Sequence, residues 1–159
     1  MKSLREITLL FSHNKITDKG IEELALTLKS KDLLESIRVD FGKNRISDHG
    51  VIYFCEQLEG LEYLQHLDLT VSDNSKVNGR VVGKILKTDI FTSPTPLQSL
   101  TLGLKYLDVD DSNIQHLTTW LRTQAGLNLN SLSLFLTGNN LTARTADAIA
   151  DAVAVTTIT

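Results

Sequence analysis

The chain has 159 residues, 42% hydrophobic and 22% charged, and its 16 Lys and Arg against 19 Asp and Glu give a net charge of −3. This composition excludes a disordered chain, and the length favours a single domain over residues 1–159. The charge excludes the basic surface that nucleic-acid binding requires, and no apolar run is long enough for a transmembrane helix, so we expect neither nucleic acid nor membrane as a partner. The single cysteine excludes a disulfide framework and suits a reducing compartment, which favours a cytoplasmic protein.

The first two segments of the chain repeat each other. Aligning Leu4 with Leu34 brings ten positions into register at a spacing of 30 residues. Three further copies follow, so that five units begin at residues 4, 34, 64, 97 and 129. An internal repeat of this length is typical of solenoids, in which neighbouring units bury one another's apolar faces.

Each unit contains a strand followed by a helix. In the first unit, apolar residues recur at every second position, 7, 9 and 11, and predict a strand with one buried face. Apolar residues at 21, 24, 25 and 28 recur at helical spacing and predict an amphipathic helix. Because a strand–helix unit returns the chain to the same edge each time, the strands must run parallel.

Polar residues mark the junction between strand and helix. Residues with a side-chain oxygen precede each helix, and they are Thr17, Ser47, Asn78, Asp110 and Thr142. In three units an aspartate follows, and these are Asp18, Asp48 and Asp111. We interpret both sets as helix caps, with the aspartates also suited to the helix dipole.

Asparagines recur in the turn after the strand, at Asn14, Asn44, Asn74 and Asn139. A side-chain amide can satisfy the backbone groups of such a turn, and it can do so from unit to unit. Leu107 takes this place in the fourth unit, so we expect an irregular turn there.

The full pattern is L-x-x-[IL]-x-[LV]-x-[FLV]-x-x-N-x-I-x-D-x-G-x-x-x-L-x-x-x-L, and copies of it extend from Leu4 to about Val155. It resembles the leucine-rich-repeat family, specifically the ribonuclease-inhibitor-like subclass, with two additional residues between the second strand leucine and the asparagine. The resemblance implies an α/β solenoid, a right-handed horseshoe arc with a parallel sheet on the concave face and helices on the convex face. It also implies a protein that binds other proteins.

The connection between the third and fourth units, residues 88–96, is the one clear insertion and contains both prolines. Because proline disfavours helix at the preceding residue, the third helix should end before Ser93. We favour a rigid spacer here; the alternative is a projecting loop in which Phe91 meets a partner. Trp120 has the same two interpretations, and packing between helices is favoured over a partner contact.

The outward side of the sheet is the candidate binding surface. The partner contacts predicted there are Glu6, Thr8, Leu10, Arg38, Asp40, His66, Asp68, Tyr106 and Phe135. Five strands at the usual spacing span roughly 20 Å, which is room for a helix or a loop. Arg38 and Asp68 share a column and can form an ion pair. The exposed hydrophobic side chains could anchor a partner, although single exposed apolar residues are also common.

The sequence contains no catalytic, metal or cofactor motif. The four histidines occupy four different places in the repeat, and Cys55 stands at a core position. We therefore predict no enzyme, no cofactor and no catalytic or metal-binding residue. We expect a protein-binding module or assembly subunit that binds through its concave face or its uncapped ends, within a larger complex or a longer repeat array. The alternative is a regulatory arm, by analogy with Ran GTPase-activating protein.

Overall fold

The structure, a computed structural model, describes residues 3–92, 97–123 and 128–156. Its strands are β1 (Glu6–Leu10), β2 (Ser36–Asp40), β3 (His66–Thr70), β4 (Ser99–Gly103) and β5 (Ser131–Phe135). Its helices are α1 (Asp18–Lys29), α2 (Asp48–Gln57), α3 (Val81–Ile85), α4 (Asp89–Thr92), α5 (Asp111–Leu121) and α6 (Ala143–Thr156). Strand and helix alternate as predicted, with α4 added by the insertion.

The strands form one parallel sheet in chain order, β1-β2-β3-β4-β5. Each strand pairs with the next without a shift, so that Ile7 lies beside Ile37 and Ile37 beside Leu67. The units that begin at 64, 97 and 129 continue the sheet started by the first two. The predicted α/β solenoid is therefore confirmed.

The core lies between the sheet and the helices. In β2, Ile37 and Val39 are buried while Arg38 between them is exposed, as the alternation predicts. Cys55 of α2 is fully buried, as predicted for a core position. Burial, with a smaller contribution from the charge of Glu56, raises the pKa of the Cys55 thiol to about 12. The reactive thiolate is therefore rare at neutral pH.

The described part of the insertion, residues 88–92, packs onto the core. Phe91 is fully buried, and Trp120 of α5 is only 6% exposed. The Trp120 Nε1–H donates to the Phe91 carbonyl at 2.6 Å, and the two rings meet edge to face at 5.6 Å. The alternative of a second partner contact at Phe91 and Trp120 is therefore wrong, because both side chains hold the insertion against α5. The expected helix end before Ser93 and the two prolines fall at residues 93–96, outside the described residues.

Asparagine side chains link consecutive turns, as predicted. The Asn44 Nδ2 donates to the carbonyl of Phe41 in its own unit at 3.0 Å and to that of Phe11 in the preceding unit at 2.8 Å. Its Oδ1 accepts from the Ile16 N–H at 2.9 Å. Asn74 repeats this arrangement against the second unit. We call this set of bonds the asparagine ladder, and it satisfies backbone groups that the turns bury.

The turn of the fourth unit is irregular, as predicted. In every unit the residue before the asparagine place has a left-handed backbone; these residues are His13, Lys43, Asp73, Tyr106 and Gly138. Within the described residues only the fourth unit adds a second residue of this kind to its turn, Asp108 with φ of 53°. The Leu107 side chain joins the core, and its N–H donates to Asn139 Oδ1 of the next unit at 3.0 Å.

The aspartates at the start of the helices also connect units, which the sequence interpretation as caps missed. Asp18 accepts from the N–H of Ser47 at 2.7 Å and from its hydroxyl at 2.6 Å. The same contact recurs from Asp48 to the Asn78 N–H at 3.1 Å and from Asp111 to the Thr142 N–H at 3.0 Å. These carboxylates form a second line of bonds between units, which we call the aspartate links.

The predicted caps are confirmed in part. Side chains that accept a hydrogen bond from the first turn of the helix are Ser47, Asp110 and Thr142. Thr17 precedes α1, but its side chain makes no cap hydrogen bond. The Asn78 Oδ1 accepts from the Arg80 N–H at 3.0 Å, in the turn that leads into α3, which begins at Val81. The cap prediction is therefore wrong for Thr17, and for Asn78 it holds for this turn and not for the helix itself.

We expect the Asp111 link to make stability depend on pH. Hydrogen bonds from the Thr142 and Thr145 hydroxyls, and then from the Thr142 N–H, lower the pKa of Asp111 from 3.8 to about 2. Since the folded pKa lies below the unfolded one, this carboxylate stabilises the fold above about pH 4, and the contribution is lost as the pH falls toward 2. Urea unfolding over this range should show a shallower loss of stability in Asp111→Asn than in the wild type. The exposed control Asp147→Asn should follow the wild type, and equal slopes in all three proteins would contradict the expectation.

Candidate protein-binding face

The strand register gathers the outward side chains into three columns across the sheet, and we call them together the sheet face. The columns are Glu6–Ser36–His66–Ser99–Ser131, Thr8–Arg38–Asp68–Thr101–Ser133 and Leu10–Asp40–Thr70–Gly103–Phe135. Eight of the nine predicted contact residues lie in these columns. Tyr106 lies in the turn that follows β4, beside the third column. Partner binding by these nine residues stays a prediction.

The centre of the sheet face carries an ion pair. The Arg38 Nε lies 3.1 Å from the Asp68 Oδ2, which confirms the predicted pairing. Burial and the nearby charge of Asp40 raise the pKa of the Asp68 carboxyl, and Arg38 opposes them. Asp40 accepts from the Gly42 N–H at 2.8 Å and has no ion-pair partner within the described residues. An exposed pair such as Arg38–Asp68 contributes about 0–1 kcal/mol to stability, so these charges remain available to a partner.

Exposed hydrophobic side chains lie at both ends of the third column. Leu10 is 63% exposed on β1 and Phe135 is 48% exposed on β5, while Tyr106 beyond β4 is 58% exposed. The Tyr106 ring rests on Gly138, where a Cβ atom would lie only 2.2 Å from it. The Lys105 ammonium lies 5.4 Å from the centre of the Phe135 ring. The predicted exposure of all three hydrophobic side chains is confirmed.

A cavity of about 330 Å³ opens at the carboxyl ends of the strands. Residues that line it include Asp40, Thr70, Ser72, Gly103, Tyr106 and Phe135. Gly103 leaves a gap in the third column, and the Thr70 side chain leans over it, since a Cβ on Gly103 would lie 2.3 Å from the Thr70 Oγ1. Sequence reasoning missed this cavity, although a glycine among larger outward residues was its available signal.

The end units leave part of the core uncovered. Ile7 and Leu9 of β1 are half-buried, whereas Ile37 and Val39 at the same places in β2 are fully buried. Val153 of α6 is 47% exposed, although Leu58 and Leu121 at the equivalent places are buried. Among the described residues, the first and last units thus present more apolar surface than the inner units do.

The described parts of the chain contain neither a cluster of metal-binding side chains nor a membrane-spanning helix. No group of three or more His, Cys, Asp or Glu side chains in residues 3–92, 97–123 and 128–156 could hold a metal ion. Over the same ranges, none of the helices combines the length and the apolar character needed to cross a membrane.

Comparison with protein-family models finds a match in the first unit. A family model described as Leucine Rich repeat matches residues 8–25, which run from β1 through the asparagine turn into α1. No curated protein matches the chain. The matched segment is the unit that the structure repeats five times in one sheet. The match and the repeated architecture together support the chain as a leucine-rich-repeat protein.

Proposed function

We propose that the chain is a non-catalytic interaction module that binds a segment of a partner protein on its sheet face. Leucine-rich repeats generally mediate interactions between proteins and are typically not enzymes. The observation that supports this most is the open sheet face: Glu6, Arg38 and Phe135 are all exposed, and no described residue covers them. A sheet with one bare side is a surface on which another chain can bind.

The size and chemistry of the sheet face suit a helix or loop. The five strands span roughly 20 Å, which is too narrow for a large globular surface. The face combines exposed apolar ends with a charged centre at Arg38, Asp40 and Asp68. Aromatic anchors provide much of the binding energy in such interfaces, and charges set orientation and specificity.

Three finer assignments belong to the same proposal. Helices of 12 residues in α1 and 11 in α5 support the ribonuclease-inhibitor-like subclass. The continuous sheet supports one domain over residues 1–159. A single, buried cysteine is compatible with the cytoplasm. The GTPase-activating alternative gains no support from any contact among the described residues, and we do not propose it.

A charge swap tests the sheet face without removing its ion pair. Arg38→Asp combined with Asp68→Arg keeps two opposite charges in contact, so the free energy of unfolding should stay within about 0.5 kcal/mol of the wild type. The swap reverses the electrostatic field that a partner meets at the centre of the sheet face. We therefore expect proteins that the wild type recovers from a cell lysate to bind the swapped variant about tenfold more weakly or worse.

A second swap provides the control. Glu22 and His49 lie 3.6 Å apart on the helical side of the solenoid, and exchanging them should leave partner recovery unchanged. Equal recovery by the wild type and the Arg38–Asp68 swap would contradict the proposal and direct attention to the helices or the uncapped ends.

A further inference from the structure

The gap in the third column forms a pocket with two unlike walls. Its floor is the side chain of Thr70, which packs over the buried backbone of Gly103. Phe135 borders the gap on β5, and Tyr106 rises beside it from the following turn. The Tyr106 ring packs directly on Gly138, where a Cβ atom would clash with it, so the glycine makes room for this part of the aromatic wall. We call this site the anchor pocket.

The opposite wall provides hydrogen-bond acceptors. The Asp73 carboxylate lies 3.7 Å from the Lys43 ammonium, and the Ser72 hydroxyl already accepts from the Lys105 N–H at 3.0 Å. The Asp40 carboxylate makes one hydrogen bond, with the Gly42 N–H, and no ion pair among the described residues. Since a carboxylate can accept several hydrogen bonds, Asp40 has capacity left for a ligand.

The charges around the anchor pocket balance. Two ammonium groups, of Lys43 and Lys105, and two carboxylates, of Asp40 and Asp73, line it. Lys43 already pairs with Asp73, and the Lys105 ammonium lies over the Phe135 ring. Because these formal charges cancel, a neutral side chain can contact the aromatic wall without the desolvation cost that an ion would pay.

We infer that the anchor pocket accepts one neutral aromatic side chain that carries a hydrogen-bond donor, tyrosine or tryptophan, supplied by a protein partner. The ring would stack against Phe135 and Tyr106, and its O–H or N–H would donate to Asp40. The volume of about 330 Å³ fits one large side chain and is at the lower limit of small-ligand pockets, roughly 300 Å³. The inference rests on the proposed function and adds the chemistry of one anchor residue.

Two matched probes test the donor requirement. N-acetyl-tyrosine amide and N-acetyl-phenylalanine amide differ by one hydroxyl group, and each can be titrated into ¹⁵N-labelled protein and followed by NMR. We expect saturable shifts of the Gly103, Lys105 and Tyr106 amides with Kd in the millimolar range. The tyrosine probe should bind about threefold tighter or better. In Asp40→Asn the single side-chain oxygen must also accept from the Gly42 N–H, so the preference for the tyrosine probe over the phenylalanine probe should shrink.

Variants locate the site. Phe135→Ala removes an exposed ring and should weaken the tyrosine probe about fivefold or more, whereas Leu10→Ala, at the far end of the same column and outside the pocket lining, should not change it. Absence of saturable shifts, or unchanged binding by Phe135→Ala, would overturn the inference, and equal affinity for the two probes would overturn its donor requirement. If the probes fail to bind while the Arg38–Asp68 swap still loses its partner, the inference about the anchor pocket is wrong and the proposed function stands.

Discussion

Replacing Asn74 with alanine is expected to lower the free energy of unfolding by about 3 kcal/mol or more. The Asn74 side chain is 2% exposed and contacts five backbone groups in the second and third units. Alanine removes the partner of the Asn44 and Ile46 N–H groups and of the Val71 carbonyl at a buried site. The Phe41 and Ser72 carbonyls each keep another hydrogen bond. Each unsatisfied buried group costs about 1–3 kcal/mol, so even partial relaxation leaves a large loss.

Asn14 is the matched control for this substitution. It has the same place in the first unit, but it is exposed and donates only to the Phe11 and Ser12 carbonyls of its own turn. Water can replace those bonds, so Asn14→Ala should cost less than about 1 kcal/mol. Urea unfolding followed by circular dichroism measures both variants. Similar losses in the two would show that the asparagine ladder does not depend on contacts between units.

The boundary between the third and fourth units lacks both kinds of connection. Leu107 replaces the asparagine that would reach back to the third unit, and Gly79 takes the place of the aspartate that would reach forward. A side chain at Gly79 would not fit, since its Cβ would lie 2.2 Å from the Asn113 Oδ1. That same Oδ1 accepts from the Asp110 N–H at 3.0 Å, whereas an aspartate link accepts from the equivalent N–H groups of Ser47, Asn78 and Thr142. The fourth unit therefore caps itself.

The periodicity of the sequence predicted the features that depend only on one unit and on the strand beside it in the sheet. The alternation around Ile37 and Val39 sets which side chains face outward, and this predicted every column of the sheet face. It also placed Arg38 beside Asp68 before any distance was known. These features could be predicted because a parallel sheet without bulges preserves the register of its repeats.

The aspartate links and the anchor pocket depend on distances that periodicity does not contain. Asp18 has the place of an ordinary helix cap, and only the approach of two units brings it to Ser47. The pocket depends on the tilt of the Tyr106 ring over Gly138. The sequence could not place Phe91, because a short apolar segment in an insertion can fold inward or project outward. In the structure the Trp120 indole N–H donates to the Phe91 carbonyl, so this segment folds inward.

Truncating Trp120 to alanine is expected to destabilise the chain by about 3–5 kcal/mol, because it removes a buried ring. Trp120→Phe retains an aromatic ring but leaves the Phe91 carbonyl without its donor, so we expect a smaller loss of about 1–3 kcal/mol. The neighbouring, exposed Thr119→Ala should change stability by no more than about 0.5 kcal/mol. Trp120 is the sole tryptophan, so unfolding of these variants must be followed by circular dichroism.

The loss of stability in the Trp120 variants should be concentrated at one boundary between units as well as large. The contact between Phe91 and Trp120 joins the insertion of the third unit to the helix of the fourth, across the boundary that lacks an asparagine and an aspartate. In a solenoid, stability depends on each interface between neighbours, so weakening this one should separate the last two units from the first three. Hydrogen exchange of Trp120→Ala should therefore show more lost protection in β4 and β5 than in β1 and β2. A uniform loss across all five strands would mean that the boundary is held by the sheet and not by this contact.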